Sequence, residues 1–522
     1  MDSRAATRSR RRRGSLLEAA ATGTQARRPV PMSHDQAIGV PLDRLFSGAC
    51  RTGAAGATVT SCTSDWRRVQ PGDCFVAVLT ADNDGHDFAD LAVQRGAVAV
   101  IVERPIPVFS VPVYHVDDTR VALGELCHAL VDHPSQRMRV IGVVGDQGKA
   151  ATVALLESIY VAAGYEVGVL SSLKSFDGMT CSEGIDDEVT PSVLAARLAR
   201  MEAAGCSHVL LEITSQSLAQ LKLAGMELDT VVATTIDSAR LDLHQTVKNY
   251  RDAQRRVLDY LSPTGIAIVN ADDAVSCRWL SEIAGPALTY GLGDEAQING
   301  VVVEENACET VFILGAGTDS AAVRTSIVGR QHVTNCLAAA AVALAHGVEF
   351  QTIAQGIESV KKLRSRMERV DCGQDFPVFV DAAHTASGLR STLRAARALS
   401  RRRVICVMGE TMSATASESE AIRGVLRKMA DVTIVTDALT AIDDAWLAEH
   451  SAASAKDKLQ IAADRAEAIA WAVAMAGQGD VVVIAGSRTP TEFTFGAAQI
   501  SDADIARELL YAAARPILRL VG

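Results

Sequence analysis

The run Val140-Ile-Gly-Val-Val-Gly-Asp-Gln-Gly-Lys149-Ala150-Ala151-Thr152 constrains this chain more than any other stretch. A β-rich apolar segment, a turn framed by glycines and a lysine opening an amphipathic stretch describe a strand, a tight loop and a helix. Backbone N–H groups at the start of such a helix face phosphate oxygens, and the lysine reaches the β and γ positions. One part of that cradle is missing. The residue after the lysine should carry a hydroxyl to hold Mg²⁺, and here it is Ala150, whose methyl cannot ligate a hard cation. Gly142 and Gly148 also stand one residue too far apart for the full phosphate-loop pattern. Taken alone, the segment fits a glycine turn in any α/β domain as well as it fits a nucleotide site.

The surrounding pattern carries the fold. Strands are expected at Val140 to Val144, Val167 to Leu170, His208 to Ile213, Thr230 to Thr234 and Ile266 to Asn270, with helices at Thr152 to Ala163, Ser192 to Ala204 and Thr246 to Tyr260. Buried strands alternating with helices mean a parallel sheet covered on both faces. A later block repeats the pattern, with strands at Val378 to Asp381, Val404 to Met408, Val432 to Thr436 and Val481 to Ala485. Helices are expected between them at Gly388 to Leu399, Glu418 to Met429 and Arg465 to Ala476. No Gly-x-Gly-x-x-Gly follows its first strand, so this second sheet is not a nicotinamide site. Ahead of both, short β-like runs (Cys74 to Val78, Ala97 to Val102) precede a helix from Val121 to Val131, which His133-Pro134 ends.

A chain of 522 residues is too long for one core, and about three domains are expected. The net charge of −11 argues against general nucleic-acid binding. No apolar run reaches the ~18 residues of a membrane span. The eleven cysteines are scattered singly, which reads as reduced cytosolic thiols and not as a disulfide framework or zinc site. Residues 1–35 form a basic tail, with Arg8 and Arg10 to Arg13 followed by a Pro-rich exit. Without an apolar h-region this is no secretory signal. It reads as a disordered segment, or as an extension ahead of a true start at Met32.

Motif order along the chain resembles the Mur ligases, ATP-dependent amide-bond formers of peptidoglycan synthesis, and most of all their MurE type, the UDP-N-acetylmuramoyl-tripeptide synthetases. Arg67 to Ala77, with Asp84-Gly85-His86-Asp87-Phe88 and Gly96 to Val100, looks like that type's uridine-nucleotide domain. Val140 to Lys149, Glu212 to Leu218, Leu241 to His244 and Asn270-Ala-Asp-Asp273 follow in the family's order, as do Arg366 to Val370 and Asp381-Ala-Ala-His-Thr385. The resemblance implies a three-domain α/β architecture: a UDP-substrate-binding domain over 36–137, a central ATP-binding phosphate-loop domain over 138–363 and a Rossmann-like domain over 364–522. It implies a cytoplasmic protein whose partners are ATP and a UDP-N-acetylmuramoyl peptide, with Mg²⁺ and ATP as cofactors.

In that chemistry ATP phosphorylates the peptide's carboxylate, and an amino acid then attacks the acyl phosphate. Phosphate charge must be neutralised, metal held and the amine oriented. By resemblance, Gly145, Asp146, Gln147, Gly148 and Lys149 cradle the phosphates, Asn270 and Arg366 contact the nucleotide, and Glu212 is the magnesium carboxylate. Lys149, Glu212, His244 and His384 are the implied catalytic set. Thr190, Thr214, Gln220 and Lys222 are the implied contacts to the UDP-peptide, the last a lysine where arginine is usual. The residues alone leave alternatives open. Glu212 equally suits an ordinary strand-end carboxylate, His384 a packed histidine at a sheet edge, and Asn270-Ala-Asp-Asp273 a strand-ending turn.

Departures from the family pattern cluster on the catalytic parts. Ala150 replaces the loop hydroxyl, Ala239-Arg240 replaces Asp-His, and Gln254 stands at the lysine that the family carbamylates to bridge magnesium ions. A neutral amide lacks the carbamate's charged oxygens. Thr214-Ser215-Gln216 replaces Ser-Ser-His, and Ala382 and Ala386 replace the tyrosine and proline around His384. Met408 to Ser413 lacks the expected Gly/Arg-rich loop, no Asp-Asn-Pro-Arg follows Thr436, and Gly486-Ser-Arg-Thr-Pro490 replaces Gly-Lys-Gly-His-Glu. Trp66 takes the place of a serine near the uracil. Two functions follow as expectations. One is an active ligase with an unusual metal arrangement; the other is a catalytically silent relative that acts by binding a UDP-sugar peptide or a partner ligase. Ala150, Ala239 and Gln254 favour the second. Folate or cyanophycin-type ligation on the same scaffold needs the same missing groups and lacks the first-domain match.

Overall fold

Valine- and isoleucine-rich runs bounded by glycine turns build the sheets of this α/β protein. In the computed structural model, residues 39–514 are described, apart from 81–82, 109, 185–188, 238–240, 410–415, 437–458, 463, 487–493 and 496–497. The basic tail, Ala239-Arg240 and most of the expected departures after Gly409, Thr436 and Gly486 therefore lie outside the described residues. The chain forms two compact units. The first comprises residues up to 236, 248–289 and 341–348; the second comprises 237–247, 290–340 and 349 onward.

Within the first unit, a five-stranded sheet runs in the order Cys50–Thr52, Val113–His115, Ala99–Val102, Cys74–Val76, Cys62–Thr63. All but its first pairing are parallel. The Asp84-Gly-His-Asp-Phe88 motif serves this sheet structurally. His86 is buried, its Nδ1 lies 2.6 Å from Asp84 Oδ1, and its Nε2 accepts the Glu103 N–H at 2.9 Å. Bonds from His86 and Arg104 outweigh the desolvation of Asp84 and hold its carboxyl at about 2.

A second sheet of this unit places Val167–Leu170, His208–Glu212, Arg139–Val144, Leu228–Ala233 and Leu261–Asn270 side by side, all parallel. A hairpin, Lys174–Phe176 with Cys181–Glu183, extends one edge antiparallel. Helices Lys149–Ala162 and Pro191–Ala203 belong to this sheet, the latter through buried Leu194, Leu198 and Met201. The first of these starts earlier than the apolar pattern indicates, because Gly148 at φ 89 turns the chain directly into it and accepts the Thr152 N–H at 2.8 Å. The helix expected from Thr246 to Tyr260 is α-helical over Val247–Arg255 and tightens to 3₁₀ over Arg256–Tyr260.

In the second unit, a six-stranded sheet has the order Glu368–Val370, Val378–Asp381, Val481–Ala485, Val404–Gly409, Val432–Thr436, Leu459–Ile461. Only its first pairing is antiparallel. Helices Ala386–Leu399 and Ala416–Met429 cover one face, and Arg465–Met475 and Asp502–Ala514 the other. An antiparallel ribbon of Ile298–Glu305, Thr310–Ala316 and Asp319–Thr325 also belongs to this unit. Among the described residues no helix is long and apolar enough to cross a membrane.

Candidate functional site

The loop after strand Arg139–Val144 is shaped by its glycines and braced by the neighbouring strand. Gly145 has φ 127, and a Cβ there would overlap the Thr234 hydroxyl and sit 2.9 Å from the Thr235 carbonyl. Thr234 Oγ1 donates to Val144 O at 2.8 Å, and the Asp146 N–H donates to Thr235 O at 2.7 Å. Gln147 bridges Thr235 through the backbone. The loop thus delivers Lys149 to the first position of a 14-residue helix, where free N–H groups and the helix dipole favour an anion. Lys149 Nζ curls over the loop, donating to Gly145 O at 2.8 Å and lying 4.0 Å from Glu212 Oε1.

Glu212 ends strand His208–Glu212, two strand positions from the hairpin edge. Its Oε2 accepts both the backbone N–H and the hydroxyl of Ser172 at 2.8 Å. Glu212, Thr214, Lys222 and Ser172 line one cavity of about 220 Å³, whose other walls include Leu170 and Val189. Thr214 caps helix Ser215–Ala219, accepting the Ser217 N–H at 3.1 Å. Thr190, adjoining Val189, caps helix Pro191–Ala203 and is exposed. Gln220 is exposed at the end of the short helix, just before Leu221 at φ 55. Asn270 is buried at the end of its strand, and its Oδ1 accepts the Asp272 N–H at 3.0 Å. That side chain builds the strand-ending turn. Val144, Glu212, Ala233 and Asn270 all close parallel strands at their carboxyl ends, the edge where open α/β sheets bind ligands.

The remaining residues belong to the second unit. His244 is buried at the end of the short helix Leu241–His244. Arg366 sits in a turn strained at Ser365 (φ 52) and Met367 (φ 43), and donates to Ser365 O at 3.1 Å. Asp381 fastens this turn by accepting the Met367 N–H at 2.8 Å; it also accepts the Ala383 N–H and the Thr392 hydroxyl. Burial raises the Asp381 pKa, opposed by Arg366 and these bonds. His384 is exposed, donating from Nδ1 to Ala382 O at 3.0 Å, and is not a packed histidine.

A nucleotide's phosphates fit the first-unit loop: glycines that leave no Cβ in the cradle, a helix N-terminus and Lys149. Magnesium does not fit the donors present. Ala150 and Ala151 offer no oxygen and are buried. Glu212 is committed to Ser172 and faces Lys149. Gln254 is 1% exposed, donates from Nε2 to Tyr250 Oη at 2.7 Å, and leaves Oε1 buried without a partner. Among the described residues, no group of three or more His, Cys, Asp or Glu side chains is placed to hold a metal ion. Ser172 and the Thr234-Thr235 brace escaped the sequence reading. Their one signal was position, since each follows the carboxyl end of a strand adjoining the loop or Glu212.

Residues 143–343 match the Mur ligase middle domain, and residues 365–488 match the Mur ligase glutamate ligase domain. A UDP-N-acetylmuramoyl-L-alanyl-D-glutamate–2,6-diaminopimelate ligase of Geobacillus kaustophilus is 33% identical over 432 residues, covering 81% of this chain and 88% of its own. A solved structure of a ligase of that name superposes with a TM-score of 0.69 at 20% identity, over 92% of this chain and all of its own. The MurF ligase from Thermotoga maritima in complex with ADP has a TM-score of 0.58 at 19% identity, over 87% of this chain and 98% of its own.

Proposed function

The chain belongs to the Mur ligase family, and from that premise we propose that it is a MurE-type homologue that binds ATP and a UDP-N-acetylmuramoyl peptide but is impaired or silent in adding an amino acid to UDP-N-acetylmuramoyl-L-alanyl-D-glutamate. The observation that carries this reading is Ala150, buried directly after a correctly placed Lys149. The loop retains what neutralises phosphate and lacks what holds metal. Gln254, with its amide turned to Tyr250, points the same way. Ala239 and Arg240 add sequence support only.

In this reading Lys149 and the loop amides bind phosphate, Asn270 and Arg366 serve the nucleotide, and Thr190, Thr214, Gln220 and Lys222 serve the UDP-peptide. The domains over 36–137, 138–363 and 364–522 divide this work. The second reading is an active tripeptide synthetase with an altered metal site, and it is favoured by Glu212, still a carboxylate 4.0 Å from Lys149. Calorimetric titration with ATP, with and without Mg²⁺, and with the UDP-muramoyl dipeptide separates the two, followed by an ADP-release assay. The expected result is weak ATP binding with little magnesium dependence and no ADP release. Tight binding that collapses on chelation, or ADP release coupled to amino-acid addition, refutes the silent reading.

A further inference from the structure

The five-stranded sheet of the first unit brings two thiols together. Cys62 lies in the two-residue edge strand Cys62–Thr63, and Cys127 lies in helix Thr119–Ala129, which packs against that strand. The two residues are 65 positions apart in the chain, yet their Sγ atoms are separated by 3.6 Å. Both are free thiols. A disulfide needs ~2.05 Å, so closing one here asks for an approach of roughly 1.5 Å, on the scale of a side-chain rotation.

The surroundings select this pair. Cys62 is partly exposed, so a small oxidant reaches it, whereas Cys127 is buried. Cys74, the Cα partner of Cys62 on the neighbouring strand, is wholly buried and directs its Sγ to Phe75 O at 4.0 Å. Cys127 is thus the thiol in contact with Cys62. The edge strand itself is held by two register pairs, Cys62 with Cys74 and Thr63 with Phe75. So short an edge opens locally at low cost, and a cross-link to the helix restrains that opening.

We propose that Cys62 and Cys127 form a reversible disulfide site that hydrogen peroxide closes and a dithiol reopens, stapling helix Thr119–Ala129 to the sheet edge. Cys62 sulfur attacks one peroxide oxygen, the O–O bond breaks, and the released hydroxide takes the thiol proton to leave as water. Cys127 sulfur then displaces hydroxide from the Cys62 sulfenic acid; the S–S bond forms, and the Cys127 proton leaves with that hydroxide as a second water. Two thiols are oxidised and one peroxide is reduced to two waters. The Cys127 thiol first, and burial second, hold the Cys62 pKa well above the usual thiol range. Thiolate is therefore scarce at neutral pH, and the bridge answers sustained oxidant, not a brief pulse. The site lies in the first sheet and does not depend on the ligase reading.

The test treats the full, folded chain with hydrogen peroxide and maps disulfide-linked peptides by mass spectrometry. A Cys62–Cys127 linkage should form and vanish with dithiothreitol. Hydrogen exchange of the Thr119–Ala129 amides should slow by about tenfold or more in the oxidised chain, because the bridge constrains a long loop. Cys62→Ala and Cys127→Ala should each abolish both the linkage and the slowing; if one of them does not fold by circular dichroism, the other decides. The proposal falls if the folded chain yields no such linkage, if Cys62 links to Cys74 instead, if the bridge forms only in urea, or if exchange in the helix is unchanged or slows equally in the variants.

Discussion

Replacing Gly145 with alanine should damage the phosphate loop through two separable terms. The first is backbone strain: a non-glycine residue held at φ 127 costs ~1–3 kcal/mol. The second is steric. The new methyl overlaps Thr234 Oγ1 and must displace it from Val144 O, and a hydroxyl stranded in a buried site costs a further ~1–3 kcal/mol. Val144 O keeps its bond from the Thr234 N–H at 2.9 Å, so no further acceptor is lost. The sum is ~2–6 kcal/mol, a large share of a typical folding free energy. Thr234→Ala alone should cost only ~1 kcal/mol, one net hydrogen bond. The double variant should then show the strain and the ~1 kcal/mol of the lost hydrogen bond but no stranded hydroxyl, giving a coupling of ~1–3 kcal/mol between the sites. Hydrogen exchange of the Arg139–Val144 strand amides, read by mass spectrometry, measures these local free energies. A Gly145→Ala cost below ~1 kcal/mol, or a double variant that is simply additive within ~0.5 kcal/mol, would refute the reasoning.

Acid should loosen the first unit through its buried histidines, among them His128, His208 and His346. Burial first, then nearby charge, lowers His208 to about 4 and His346 to about 3. Because the unfolded chain takes up protons near pH ~6.5 and the folded one resists, their stabilisation is complete above ~6.5 and is lost as pH falls toward those values. Urea midpoints should drop over that window, and His208→Phe should flatten the slope by ~1.4 kcal/mol per pH unit; an unchanged slope counts against it. Restoring metal donors with Ala150→Thr and Gln254→Lys should make ATP binding more magnesium-dependent in calorimetry while ADP-coupled amide formation stays undetectable. Turnover appearing in that double variant would show the second unit's motifs to be more intact than they read.

Most of the architecture was legible because its strands are largely apolar. Val167–Leu170, Val378–Asp381, Val432–Thr436 and Val481–Ala485 have the expected bounds, since strands buried on both faces read as near-continuous apolar runs, broken here only by Gly168, Thr433 and the terminal Asp381 and Thr436. Helix starts were less legible. Ala386–Leu399 begins two residues earlier than expected because Thr385 caps it, accepting the Gly388 N–H at 3.2 Å. Within the site, motif order along the chain singled out Lys149 and Glu212, but the groups that hold each of them could not be read. The bonds from Ser172 to Glu212 and from Thr234 to Val144 join strands far apart in sequence. Asn270 shows the opposite limit, because its Asx turn is visible locally yet says nothing of a ligand.

The loop's shape and the family's chemistry make different demands, and this chain separates them. Shape depends on Gly145, Gly148 and the Thr234-Thr235 brace, all present and geometrically required. None of these contacts involves a hydroxyl at position 150. Ala150 and Ala151 are buried in the first turn of a helix, where alanine is the best helix former and a buried polar side chain would need a partner. Even Thr152, the first hydroxyl in that helix, has its Oγ1 buried without one. Alanine at 150 therefore suits the fold and brings no side-chain oxygen to the loop. The carboxylate that remains is held by Ser172, at a distance from Lys149 where an ion pair contributes modestly. What the loop presents is an anion cradle whose positive charge comes from one lysine and a helix end.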